Sequence, residues 1–174
     1  MKRSVLLLSL LLPLPLQVFA QAPPPATPAP APARPAPATP PALNSAQQAQ
    51  VQQQDAEMSA AAIRVAQMVD AHRAAELWDG ASAVTRKAVN KQAFVSQLDA
   101  DRGRLGALVG RGEPGVTRVK YNAGAAVPEG LYINVSFPTR FAGSAQPVRE
   151  LVSFRFDEDK VWRLAGYSVR APGT

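Results

Sequence analysis

The stretch VRELVSFRFDEDKVWRLAGYSVR, Val148 to Arg170, decides the fold. Val148, Glu150, Val152, Phe154 and Phe156 alternate with Arg149, Leu151, Ser153 and Arg155, the period of two that side chains follow along a half-buried strand. Asp157-Glu158-Asp159 then makes an acidic turn, and Val161 to Arg170 returns as a second strand through Trp162-Arg163-Leu164-Ala165-Gly166-Tyr167. The pair is a β-hairpin. A sheet with one apolar face needs helices laid across it, and the chain before the hairpin supplies both more strands and those helices.

Upstream, Leu131, Ile133, Val135 and Phe137 alternate with Tyr132, Asn134 and Ser136, and Thr117, Val119 and Tyr121 alternate with Arg118 and Lys120. Pro128-Glu129-Gly130 and Gly143-Ser144-Ala145-Gln146-Pro147 provide the turns, which gives four antiparallel strands in a meander. Gly110, Gly112, Pro114 and Gly115 end helical structure before it. Asn90 caps a helix whose Phe94, Val95, Leu98 and Leu105 face the core, with Gly103 and Gly106 weakening its last turn. Ala74 to Ala83, carrying Leu77 and Trp78, reads as another short helix. The first and longest helix is expected over Ala46 to Ala71 with Ser45 as its cap. Its early part, Gln47 to Gln54, is polar nearly all round, so it is exposed or frayed. Met58, Ala61, Ala62, Val65, Met68, Val69 and His72 recur at spacings of three and four on one buried face, with Arg64, Gln67 and Asp70 toward solvent or the edges. The sequence therefore predicts an α+β fold: one long and two shorter helices packed on a four-stranded antiparallel meander.

The chain has 174 residues, a formal net charge of +6 and no cysteine. Disulfide frameworks, thiolate metal sites, a cysteine nucleophile and a lipidated N-terminal cysteine are excluded. A single histidine, His72, rules out a multi-histidine metal centre, and no cofactor is expected. Lys2 and Arg3 precede the apolar run Val5 to Leu12, interrupted only by Ser9, and Val18-Phe19-Ala20 presents the residues a signal peptidase reads. Residues 1–20 are expected to be an export signal cut after Ala20; a cut after Ala22 is disfavoured by Pro23. Pro13 and Pro15 break the run too early for an anchor, which needs about 20 apolar residues. Residues 21–44 are mostly Ala, Pro and Thr with Arg34 as the one charge, a composition for extended polyproline II. At about 3.1 Å per residue such a linker spans on the order of 60 Å. It reads as a spacer, a ligand for a proline-recognising module, or a solubilising tail. Residues 45–174 remain as one domain, large enough to fold without staples. The expected location is the periplasm or the medium.

Asp70 followed by Trp78, then Val89, Phe94, Arg102, Leu105-Gly106, Arg111, Pro128-Glu129-Gly130-Leu131-Tyr132, Phe141, Glu150 with Val152, and the closing Trp162 to Tyr167 with Arg170 resemble a bacterial secreted family known as domain of unknown function 4019. The likeness covers roughly Ala60 to Arg170. It implies an envelope location and no established activity. The order of elements is also similar to cystatin-like and nuclear-transport-factor-2-like rolls, which implies a cone-shaped cavity between helices and sheet that some members use for catalysis and others for binding. Two departures stand out. His72 takes the place of the glycine that usually turns helix one into helix two, and Ala74 that of an aromatic residue. Histidine tolerates a left-handed conformation better than most residues, so a turn and a continuous helix are both open. Phe94 replaces a more usual tryptophan.

Glu150 shares its alternation with core residues, and a buried carboxylate needs a partner, for which Arg102, Arg104 and His72 are the candidates. Glu150 with His72 would make an acid–base pair, since burial raises a carboxyl pKa; an arginine ion pair tying the third helix to the sheet is the structural alternative. Trp78, Phe94, Arg102, Tyr132, Glu150, Trp162 and Tyr167 form the expected cavity and core motif. Arg118, Lys120, Arg149, Arg155 and Arg163 are expected to gather on the exposed sheet face. Loss of Lys2 and Arg3 leaves about +4, a mild bias toward anionic partners. Only Tyr132 could stack on a base among them, so nucleic acid is not an expected partner. Asn134-Val135-Ser136 is a sequon inside a strand. Asp157-Glu158-Asp159 lacks the spaced ligands of a calcium loop, and the glycines of Gly103 to Gly112 lack the strand and helix of a phosphate cradle.

These features point to an exported, non-catalytic binding or accessory module of the bacterial envelope, taking a small apolar ligand or an envelope component. Two alternatives remain: a small-molecule enzyme using Glu150 and His72, and an adaptor docking its basic sheet face on an anionic surface. The sheet's exposed edges leave room for a homodimer.

Overall fold

The computed structural model describes residues 43–170; the expected export signal, nearly all of the proline-rich segment and residues 171–174 lie outside that range. Four helices precede a five-stranded antiparallel sheet: α1 Ser45–Asp70, α2 Ala74–Asp79, α3 Ala83–Ala88, α4 Lys91–Gly103, then β1 Leu108–Arg111, β2 Gly115–Tyr121, β3 Gly130–Phe141, β4 Val148–Phe156 and β5 Trp162–Arg170.

Asn44, not Ser45, caps α1. Its side chain accepts from Gln47 N at 2.9 Å while Gln47 Oε1 accepts from Asn44 N at 3.0 Å, a reciprocal capping box. That box holds the polar first turns helical although they are exposed. Further on, Met58, Ala62, Val65, Ala66 and Val69 make the buried stripe. The helix stops at His72, which adopts φ 56°. Its N–H donates to Val69 O at 3.1 Å and that of Arg73 to Met68 O at 2.8 Å, the paired bonds of a Schellman ending. The turn survives without glycine, and the continuous helix does not form.

The helix expected over Ala74 to Ala83 ends at Asp79, and a further short helix that the sequence reading did not include follows it. Gly80 ends α2, and Ser82 Oγ accepts from Val84 N to start α3, whose only buried residue is Thr85. Asn90 caps α4 as its type predicts, and Phe94, Leu98 and Arg102 fall one turn apart on its buried face.

The sheet runs β1-β3-β4-β5, with β2 also paired to β3. The twelve residues of β3 serve two partners along one side: Gly130 to Ser136 pair with β2, and Thr139 to Phe141 pair with β1. Gly112-Glu113-Pro114 is the break between them. β1 is the strand that the sequence does not announce: four residues, one a glycine, with Val109 63% exposed. On the helix side, Ile133, Val135, Phe137 and Thr139 lie across from Phe154, Val152, Glu150 and Val148. Of these, Ile133, Val135, Phe137, Val152 and Phe154 meet the apolar faces of α1, α2 and α4 in one core.

β5 departs from a plain edge strand in two ways. Its register shifts so that Leu164 pairs with Phe154 but Gly166 with Ser153. Ala165 is the extra residue of a bulge, and strict alternation is broken. Leu164 and Tyr167, three apart, therefore both belong to the helix side. The outer edge of β5 is occupied by α3 and its cap: Ser82 N donates to Leu164 O at 2.8 Å and Thr85 Oγ1 to Ala165 O at 3.0 Å.

Candidate functional site

A chain of buried charges runs through the core. Glu150, fully buried in the middle of β4, accepts from Arg111 Nε at 2.6 Å and Nη2 at 3.1 Å, and from the hydroxyls of Thr139 and Tyr167 at 2.5 Å each. Arg111 also reaches Asp70 at 2.8 Å, and Asp70 accepts from Arg102 Nε at 2.7 Å. Arg102 continues to Gly106 O at 2.5 Å and lies 4.4 Å over the Phe141 ring. Two guanidinium groups thus balance two carboxylates, and each oxygen of Glu150 has two donors. Burial works against the charge on Arg111, but the bonds and charges of Glu150 and then Asp70 outweigh it, so its pKa is raised. Burial, followed by the adjacent Glu150 charge, pushes the Tyr167 phenol well above its ordinary range.

A second polar cluster secures the β4–β5 turn. Asp157 accepts from Ser82 Oγ at 2.6 Å and Arg155 Nη1 at 2.9 Å. Arg155 also binds Glu158 at 2.9 Å and Glu129 O at 3.0 Å, while Arg163 takes Asp159 at 2.6 Å. Gly130, at φ 149°, is required here: a Cβ would come within 2.8 Å of Arg155 Nε. Among the described residues no group of acids and histidine could hold a metal ion.

Between α3–α4 and β5 lies a cleft of about 320 Å³, whose walls include Val89, Phe94, Leu98, Tyr132, Gly166 and Tyr167. Its hydroxyls are spent on the protein: Thr85 on Ala165 O, Tyr132 on Pro128 O at 2.9 Å, and Tyr167 on Glu150. Gln97 donates to Asp101 at 2.8 Å. The surface offered to a guest is apolar.

The sequence-predicted site residues divide accordingly. Phe94, Tyr132 and Tyr167 meet in the cleft. Trp78 packs against the core beside it and donates from Nε1 to Val89 O at 3.0 Å, while Trp162 stacks 5.0 Å from Phe156. Arg102 and Glu150 share the charge chain without touching. The partner of Glu150 is Arg111 on β1, not Arg102, Arg104 or His72; Arg104 pairs with Asp101 on the surface. His72 is 70% exposed at the α1 turn with Nδ1 3.3 Å from Asp99. Glu150 and His72 are not brought together, because the Schellman ending aims the imidazole outward. Asp70, expected toward solvent or the edges, is a hub instead.

The expected basic sheet face is also divided. The register pairs Arg118 with Ile133 and Lys120 with Leu131, which puts both on the helix side, where Arg118 binds Asp55 of α1 at 2.7 Å. Arg149, Arg155 and Arg163 belong to the opposite face, and the last two are neutralised by the turn acids. Sequence reasoning missed Thr139 because the alternation was followed only to Phe137; its parity with Ile133, Val135 and Phe137 was the available signal.

No curated protein and no solved structure matches the chain. Residues 61–167 match the family described as "Protein of unknown function (DUF4019)". That match spans more than half of the chain and takes in the charge chain from Asp70 to Tyr167 together with the cleft, and the chain belongs to the DUF4019 family.

Proposed function

We propose that this chain is an exported, non-catalytic binding module of the bacterial envelope that holds a small apolar ligand in the cleft between α3–α4 and β5. The observation that carries the reading is the cleft itself: ligand-sized at about 320 Å³, lined by aromatic and aliphatic groups, with every hydroxyl on its wall already donating within the protein. Export rests on the N-terminal signal read from the sequence, with a periplasmic or extracellular destination and the proline-rich linker as a spacer. Among the described residues no helix is long and apolar enough to cross a membrane. Helices preceding an antiparallel sheet, with a cleft between the layers, suit a cystatin-like or nuclear-transport-factor-2-like roll.

The geometry supports the alternatives less well. An acid–base role for Glu150 would require freeing it from four donors, and His72 is elsewhere. A basic docking face would need the charges that Asp157, Glu158 and Asp159 already hold. The test is native mass spectrometry of the chain from Gln21 onward, purified from its own cell envelope. An apolar molecule retained in the native spectrum and released on denaturation is the expected result. An apo mass, together with no displacement of an apolar fluorescent probe by short alkanols, would sink the reading.

A further inference from the structure

The cleft does not end at β5. A second depression of about 320 Å³ opens on the other face of the sheet, and the two share Val127, Tyr132, Ala165, Gly166 and Tyr167 as walls. Those common walls set the two depressions side by side, with the β5 bulge as the bend between them. Gly166 sits at the bend. A Cβ built there meets nothing within 4 Å, and Gly166 is not among the glycines with positive φ. Its backbone does not demand glycine; the missing side chain leaves the space between the two depressions clear.

The two lobes differ in chemistry. The lobe beside α3 and α4 offers Val84, Val89, Phe94 and Leu98, and the one cation on its wall, Arg155, is committed to Asp157, Glu158 and Glu129 O. The outer lobe sets Asn134, Ser153, Ser168 and Arg170 beside Tyr121 and Leu151, with no carboxylate on its wall. Arg149 is the cross-strand neighbour of Arg170, both are exposed, and neither has a carboxylate partner among the described residues. An apolar depression and one with a free cation at its rim thus adjoin at Gly166.

Building on the reading of the cleft as an apolar site, we infer that the ligand is a single-chain amphiphile: a free acyl carboxylate whose tail lies against Phe94 and Leu98 and whose head meets Arg170. The tail lobe is walled by helices on one side and the sheet on the other, so a chain must leave a bilayer to enter it. The occupant is the monomeric acyl anion rather than a membrane surface.

The test is calorimetric titration of the chain from Gln21 onward with decanoate, decan-1-ol and shorter carboxylates, beside vesicles of anionic phospholipid. Decanoate should bind more tightly than decanol, and each methylene from hexanoate to decanoate should tighten binding about fourfold. Arg170→Gln should weaken decanoate about three- to fivefold at low salt and leave decanol unchanged. Gly166→Val should weaken decanoate about tenfold by blocking the bend; if that variant does not fold, Gly166→Ala should show the same direction with a smaller change. Equal binding of decanoate and decanol, with no effect of Arg170→Gln, would overturn the amphiphile while leaving an apolar cleft. Binding of neither would remove both readings. Binding confined to vesicles would overturn the acyl anion in favour of a membrane surface.

Discussion

Replacing Glu150 by Gln removes one charge at almost no change in volume. The two oxygens of Glu150 accept Arg111 Nε and Thr139 on one side, Arg111 Nη2 and Tyr167 on the other. The hydroxyls can turn round and accept from an amide, but a guanidinium cannot. Whichever way the amide lies, its NH₂ faces an N–H of Arg111. Among the described residues, Arg102 and Arg111 are then left with Asp70 as their only carboxylate. Removing one partner of a buried pair costs about 3–5 kcal/mol; the retained amide oxygen and the Asp70 contact place E150Q near the lower end, about 3 kcal/mol. Urea unfolding followed by Trp78 and Trp162 fluorescence measures it. Arg111→Met alone should also be severe. The double variant leaves Asp70 and Arg102 as a balanced pair, so it should lose about 2 kcal/mol less than the two single losses combined. A cost for E150Q below about 0.5 kcal/mol, or strict additivity with Arg111→Met, would refute the view that these charges depend on one another.

His72→Gly should stabilise the domain by about 0.5–1 kcal/mol in thermal melts, because glycine adopts the left-handed turn without strain and the exposed contact with Asp99 is worth little; a lower midpoint would show that the contact matters. Burial opposes the charge of Asp157, yet bonds from Ser82 and Arg155 hold its carboxyl below the ordinary 3.8. The unfolded chain therefore binds this proton first, and its contribution to stability is lost as pH falls from about 4 toward the lower folded value. Asp157→Asn should lower the midpoint at pH 6 and flatten the decline below about pH 4; an unchanged acid slope would contradict this. Gly130→Ala puts a Cβ 2.8 Å from Arg155 Nε at φ 149°, and should cost about 1–3 kcal/mol, against which an unaltered urea midpoint would count.

The alternation in Val148 to Phe156, in Leu131 to Phe137 and in the return strand was enough to read the hairpin and the meander, and Asn90 marked α4. What alternation cannot give is which face a covering helix reaches. On β2, an edge strand, Val119 and Tyr121 face away from the helices while Arg118 leans to Asp55, because α1 covers only part of the strand. The β5 bulge reverses parity between Leu164 and Tyr167, so the Tyr167 contact with Glu150 could not be counted out from the strand start. Arg111 was invisible as the partner of Glu150 for a related reason. Thirty-nine positions separate them, and β1 is too short and glycine-broken to announce itself. Resemblance had gathered Asp70, Arg102, Arg111, Glu150 and Tyr167 without saying what joins them; the sheet topology does.

Asp70, Arg102, Arg111, Glu150 and Tyr167 come from α1, α4, β1, β4 and β5. If α1, α4, β1 or β4 peels away, an unpaired ion is left in apolar surroundings, and if β5 does, Glu150 loses the Tyr167 donor. Local fraying is thereby penalised far beyond the contacts it breaks, and backbone amides in all five elements should exchange with solvent only through a common opening. The same arrangement delays folding, since the first charge to be buried has no counter-ion until strands distant in sequence have docked. Cooperativity in this domain is set by its ion chain as much as by its oil.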